Sequence, residues 1–228
     1  MIRRNIALIP AAGVGARFGA GKPKQYVEIN GKTVLQHTIE IFEQHPRIDL
    51  IAVILSPEDS VFQTALSEKV CVFRVGGASR AETVRNGVSV LLEQGLAEAQ
   101  DNILVHDAAR CCLPAEALTR LLDEAGENDE GGILAIPVAD TLKRADGSHH
   151  IDETVARAGL WQAQTPQLFQ TALLNRALSV DDLSEITDEA SAVEKLGIRP
   201  RLVQGDTRNL KLTLPQDEYI VRLLLKAV

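Results

Sequence analysis

Aromatic side chains are scarce in this chain: five Phe, two Tyr and one Trp among 228 residues. That leaves too little for a base-stacking platform of the kind single-stranded nucleic acid requires. Cysteine is scarcer still. Cys71, Cys111 and Cys112 are an odd number with no CxxC spacing, so neither a disulfide framework nor a zinc site is indicated. Reduced thiols in a cytoplasmic protein are the expectation. A basic surplus is also missing, with 24 Lys and Arg against 31 Asp and Glu and a formal charge of −7. Such a chain is a poor partner for nucleic acid, and basic residues gathered in a few loops point to small anionic ligands instead. The N-terminal apolar run, RRNIALI, is too short for a signal peptide or a membrane span, so no membrane partner is expected. No internal repeat, low-complexity tract or flexible linker breaks the chain, whose length suits one domain over 1–228.

What is present is alternation. Ile6–Ile9, Leu50–Leu55, Val70–Val75, Ile103–His106 and Ile133–Val138 are short apolar runs that read as strands. Between them lie helix-period segments at Val34–Glu43, after Ser56-Pro57, at Arg80–Leu92 and at Pro114–Ala125. This rhythm predicts an α/β fold, a mainly parallel sheet covered by helices on both faces. Ligands then bind where the loops gather at the carboxyl ends of the strands. The rhythm breaks over 139–169, where polar alternation surrounds a turn at Asp146-Gly147. That stretch reads as a hairpin arm with too few apolar residues for its own core, and a partner subunit is its natural support. Two helical stretches, a strand near Arg201–Val203 and a terminal helix from Pro215 follow.

Several clusters carry charge or glycine at strand ends. PAAGVGARFGAGKPKQ follows the first strand, with glycines for close backbone approach and Arg17, Lys22 and Lys24 for charge. It fits neither the Walker A spacing nor the dinucleotide fingerprint. Cations held against backbone donors suit a triphosphate. Asp107 and Arg110 close a central strand; Asp107 suits a divalent metal or a hydroxylated substrate. His106 points the other way along that strand and reads as a core histidine, and His149-His150 as solvated. Gly76-Gly77 opens a helix whose N-terminus can take an anion, a weak signal alone. Asp140, Thr141 and Lys143 enter the arm, Arg157 and Thr165 leave it, and Lys211 is a lone lysine in NLKLT. Thr187-Asp188-Glu189 reads as a helix start with threonine as the cap.

In order along the chain, PAAGVGARF, KPKQY, GGASRAETV, VHDAAR, DTLKR, GLWQAQTPQ, TDEAS and NLKLT resemble the 2-C-methyl-D-erythritol 4-phosphate cytidylyltransferase family. The resemblance covers nearly the whole chain and corresponds to the single-function form of the enzyme. It implies a Rossmann-like nucleotidyltransferase sheet and a homodimer that exchanges the arm. It implies CMP transfer from CTP to methylerythritol phosphate with release of pyrophosphate, magnesium being required. By motif, Arg17 and Lys24 would stabilise the transition state, and Arg157 and Lys211 would position the alcohol phosphate. Pro10, Ala11, Ala12, Gly13, Gly77, Thr83 and Ala108 would bind nucleotide. Asp107, Arg110 and Thr141 would face the substrate hydroxyls, with Asp107 near the metal. With an exchanged arm, Arg157 and Thr165 would serve the neighbouring subunit's site. Three departures stand out: Ala78 where the family often has Asp, Cys111 where it usually has Pro, and Arg208 where an acid is common. Ribitol 5-phosphate as the acceptor, and a catalytically silent nucleotide binder on the same fold, remain the competing readings.

Overall fold

The computed structural model describes residues 3–13, 23–63 and 67–226. The elements run β1 (Asn5–Pro10), β2 (Glu28–Ile29), β3 (Lys32–Thr33), α1 (Val34–Gln44), β4 (Leu50–Ile54), β5 (Val70–Phe73) and α2 (Arg80–Glu93). They continue with β6 (Asn102–Val105), α3 (Ala115–Ala125), β7 (Gly132–Pro137), β8 (Leu142–Ala145), β9 (Ile151–Val155) and β10 (Trp161–Gln170). The last are α4 (Thr171–Leu178), α5 (Glu189–Glu194), β11 (Arg201–Gln204) and α6 (Asp217–Leu224). Seven strands form one sheet in the order β11-β7-β10-β6-β1-β4-β5. Pairings β1–β4, β1–β6, β4–β5 and β11–β7 are parallel, and β10 alone runs antiparallel to its neighbours.

Side-chain alternation explains why the strands are apolar throughout. In β1, Ala7 and Ile9 face one buried cluster while Ile6 and Leu8 face another, as the two-residue period requires. The first cluster is closed by Leu35, Ile39 and Phe42 of α1 and by Leu118, Leu121 and Leu122 of α3. Val84, Val88 and Leu91 of α2 and Leu174 of α4 close the second. The expected α/β sheet covered on both faces is therefore present. Helix starts are set by capping side chains: Thr33 accepts from Gln36 N at the head of α1, and Ser79 from Glu82 N at the head of α2. At α5 the cap is Asp188 rather than Thr187, and Ser191 completes a capping box with it.

Two expectations need correcting. Among the described residues between Ser56 and Val70 there is no helix. Asp59 Oδ1 accepts from Val61 N and Phe62 N at 3.1 and 2.9 Å, a local side-chain turn that competes with helical hydrogen bonding. The arm is also shorter than 139–169. β8 and β9 pair as an exposed hairpin, with Asp146 Oδ1 accepting from Ser148 N and His150 N at its turn. Trp161–Gln170, by contrast, is a strand of the central sheet, wedged between β6 and β7. Its polar alternation is misleading because Gln164, Thr165 and Gln167 are buried and hydrogen-bonded. The β7–β10 register shifts between Ala163 and Gln167, and this irregularity accommodates Pro166, which has no N–H for a ladder.

Candidate active site

The carboxyl ends of β1 and β6 open onto a cavity of about 390 Å³. It is lined by Pro10, Ala11, Ala12 and Gly13, by Lys24, by Gly77 and Thr83, by Asp107 and Ala108, and by Lys211. Ten of the residues that the motifs single out thus share one cavity, as the strand-end rule expects. Arg17 and Lys22 lie outside the described residues. Arg110 sits one residue beyond the lining; Thr141 and Arg157 are exposed on the segments flanking the hairpin, outside that lining.

The start of the opening loop is held from below. Ala11 N donates to Ile54 O at 2.8 Å, and buried Gln25 donates through Nε2 to both Ala11 O and Gly13 O, at 2.9 and 2.8 Å. Gly76 lets the third cluster pass close by: a Cβ there would overlap Ala12 Cβ and meet Leu55 O at 2.7 Å. The turn into α2 is satisfied internally. Gly77 N donates to Thr83 Oγ1 at 3.1 Å, Ala78 N to Glu82 Oε2 at 2.8 Å, and the Thr83 hydroxyl to Ser79 O at 2.9 Å. The Ala78 amide is therefore already committed, which leaves its carbonyl as the backbone group available to a base edge.

Asp107 is the hub. Its Oδ1 accepts from Arg80 Nε at 2.9 Å, its Oδ2 pairs with Lys211 Nζ at 2.8 Å, and Arg110 Nε stands 3.6 Å away. Burial pushes the carboxyl pKa up, but Arg80 and then Lys211 more than offset it and hold Asp107 ionised, far below the ordinary range. Arg80 in turn forms a two-pronged pair with Glu189, at 2.7 and 3.1 Å, and the Glu189 side chain is 1% exposed. Burial works against the charge on Arg80, yet Glu189 and Asp107 together raise its pKa above the usual guanidinium value. Sequence reading missed this pair. Glu189 looked like an acid favoured by a helix dipole, and only the fold brings it to Arg80. Gln25 was missed for a similar reason, since its role is to grip backbone atoms.

Other contacts hold the rim. Asn209, fully buried, donates through Nδ2 to Thr165 O at 2.7 Å, and its carbonyl accepts from an Arg110 terminal nitrogen at 2.6 Å. These bonds fix the segment that carries Lys211. Arg110 Nε is buried without a hydrogen-bond partner, and burial lowers the Arg110 pKa. Thr165 lies beside Asp107 of its own chain: its hydroxyl accepts from Asp107 N at 3.1 Å and lies 3.0 Å from His106 Nδ1. The expectation that Thr165 serves a neighbouring subunit therefore gives way, because β10 belongs to the central sheet. His106 is the core histidine expected, with Nε2 2.9 Å from Arg110 O; donation there makes Nδ1 the acceptor from Thr165. Burial lowers its pKa to about 4. Arg208 does not leave an acid unmatched, since it pairs with Asp206 at 2.8 Å.

Magnesium finds a sparse donor set here. Asp107 is the one carboxylate in the lining, both its oxygens face cations, and no group of three His, Cys, Asp or Glu occurs among the described residues. Such a site fits magnesium only as an ion carried on a ligand's phosphates, a common arrangement for this metal.

Comparison with known proteins agrees with the geometry. The family model for 2-C-methyl-D-erythritol 4-phosphate cytidylyltransferase, IspD, matches residues 5–227. A protein of that name from Neisseria meningitidis serogroup C is 70% identical over 231 residues, covering 100% of both chains. Another, from Chromobacterium violaceum, is 50% identical over 97% of this chain and 98% of its own. A crystal structure of a 4-diphosphocytidyl-2C-methyl-D-erythritol synthase superposes with a TM-score of 0.89 at 64% identity, covering 99% of this chain and 100% of the other. The Francisella tularensis IspD structure gives 0.82 at 32% identity, over 97% and 99%. The chain belongs to the 2-C-methyl-D-erythritol 4-phosphate cytidylyltransferase (IspD) family.

Proposed function

We propose that the chain transfers CMP from CTP to 2-C-methyl-D-erythritol 4-phosphate, releasing pyrophosphate, in isoprenoid precursor synthesis in the cytoplasm. The observation that carries this reading is the cavity itself. The Pro10–Gly13 segment and Lys24 line it together with the carboxylate of Asp107, which Lys211 grips. The acceptor's phosphate oxygen attacks the α-phosphorus of CTP in line, and charge grows on the departing pyrophosphate. Lys24, with Arg17 from the opening loop, opposes that charge where it develops, so these cations favour the transition state over the ground state. Lys211 and Arg157 orient the acceptor phosphate, and Asp107, Arg110, Thr141 and Thr165 its hydroxyl end. Arg110, whose Nε stands 3.6 Å from Asp107, sits next to the lining residue Ala109, which supports a ligand contact there. No covalent enzyme intermediate is required. Magnesium would be held chiefly by the triphosphate, with Asp107 the nearby carboxylate, and would supply further positive charge. The hairpin carries none of the three buried apolar clusters, which supports its packing on a second copy in a homodimer.

Pyrophosphate release, measured with CTP and magnesium, tests the reading. Release with methylerythritol phosphate and not with ribitol 5-phosphate or without acceptor is expected. Preference for ribitol 5-phosphate would change the substrate, and silence with every acceptor would leave only nucleotide binding.

A further inference from the structure

A second cavity, larger than the one at Asp107, has a volume of about 570 Å³, suited to a small molecule. None of the residues assigned above to nucleotide or acceptor lines it. Its wall holds Ile41, His45, Leu113, Leu225 and the adjacent pair Cys111 and Cys112. Cys111 belongs to the third apolar cluster, with Ala109, Leu212 and Val221, and Cys112 packs against it partly buried. Members of that cluster touch both cavities: Ala109 lines the first and Cys111 the second. Ala109 O accepts from Leu212 N at 2.9 Å, so the strip carrying Arg110, which runs straight on into the cysteines, is tied to the strip carrying Lys211. The Cys112 thiol donates weakly to Val221 O of α6, with the sulfur 4.0 Å away.

The two thiols differ. Cys111 is buried, and its neighbour Cys112 raises its pKa, while Cys111 lowers that of Cys112. Cys112 is only partly buried at the cavity wall. A sulfur that is partly exposed at a cavity wall is reachable by a small disulfide, as the buried Cys111 is not. Cys71, on the edge strand β5, faces no cysteine neighbour and does not line this cavity.

We propose that Cys112 is a modification site for low-molecular-weight disulfides, whose adduct occupies the second cavity and displaces the strips carrying Arg110 and Lys211. The Cys112 thiolate attacks one sulfur of RS–SR. A Cys112–SR bond forms, the RS–SR bond breaks, and the departing RS⁻ takes a proton from water. No electron leaves the three-sulfur system, and Cys111 keeps its proton.

The test treats the full chain with oxidised glutathione and follows intact mass, peptide-mapped position and pyrophosphate release together. The expected result is one glutathionyl adduct, on Cys112, forming about tenfold faster than any on Cys71. Release falls by more than half as the adduct forms, and dithiothreitol restores both. Cys112→Ser removes the adduct and the inhibition, and Cys111→Ala slows adduct formation severalfold. Mapping needs no variant, so a poorly folding substitution leaves the test intact. The site mapping is also independent of the proposed reaction. No adduct, an adduct first on Cys71, or full Cys112 modification with unchanged release would overturn the proposal.

Discussion

At Asp107 a single carboxylate is gripped by Arg80 and Lys211 and approached by Arg110, so its ionisation is secure while its geometry depends on neighbours far away in sequence. Glu189→Gln removes a buried charge and leaves Arg80 half-matched. Breaking one side of such a pair costs about 3 kcal/mol, which urea unfolding will register. Arg80→Lys should not recover the loss, because an ammonium lacks the two-pronged fork. Lys24→Ala is expected to lower kcat about a hundredfold with the CTP dissociation constant within about threefold, as for a group acting mainly in the transition state. Equal losses in both would make Lys24 a ground-state anchor. His106 gives the pH dependence. With its folded pKa near 4 and an ordinary unfolded value, the unfolded chain binds the extra proton between them, so stability falls as pH falls through that window. From about pH 7.5 to about pH 5 this histidine alone removes about 2 kcal/mol, and His106→Gln should flatten that part of the profile. A profile of unchanged slope would place the dependence on other groups. Lys24 and Asp107 were legible as charges gathered in loops after strands, whereas Lys211, a lone lysine in NLKLT, was singled out only by the ordered motifs of the family resemblance. Arg80 with Glu189 was not, since 109 positions separate two ordinary charged residues and only burial makes them a pair.

Among the elements, β10 carries the lesson. Apolar runs such as Leu50–Ile54 announce themselves because both faces are buried against hydrocarbon. β10 is buried too, but it meets its surroundings with amides and a hydroxyl: Gln167 bonds Asp188 Oδ2 and the Ala190 N–H, both at 2.8 Å, and thereby fastens the start of α5. A hydrophobicity pattern cannot register polar atoms whose partners are elsewhere in the fold, and so the strand was read as arm. The same blindness hid Asp59, whose side chain replaces a helix by a turn. The segment with Lys211 depends on Asn209 in this way. Asn209→Ala frees it from Thr165 O, and the expected outcome is a KM for methylerythritol phosphate raised about tenfold with little change in CTP affinity, seen by steady-state kinetics. A parallel loss of CTP affinity would mean that Asn209 supports the whole cavity instead.

For the whole molecule, the central question is how many chains make one site. Lys24, Asp107 and Lys211 line one cavity of one chain, whereas Arg157 is exposed beyond an outlying hairpin. We propose that Arg157 reaches the partner's cavity, so that two copies would complete each other's sites. Mixing Lys24→Ala with Arg157→Ala tests this, each variant being nearly inactive alone. Random exchange makes half the dimers mixed, and each mixed dimer then holds one site with both residues intact. The account predicts recovery of about a quarter of the wild-type pyrophosphate release per site. Under the same exchange, no recovery above the separate variants would mean that Arg157 serves its own chain, and would contradict the shared site.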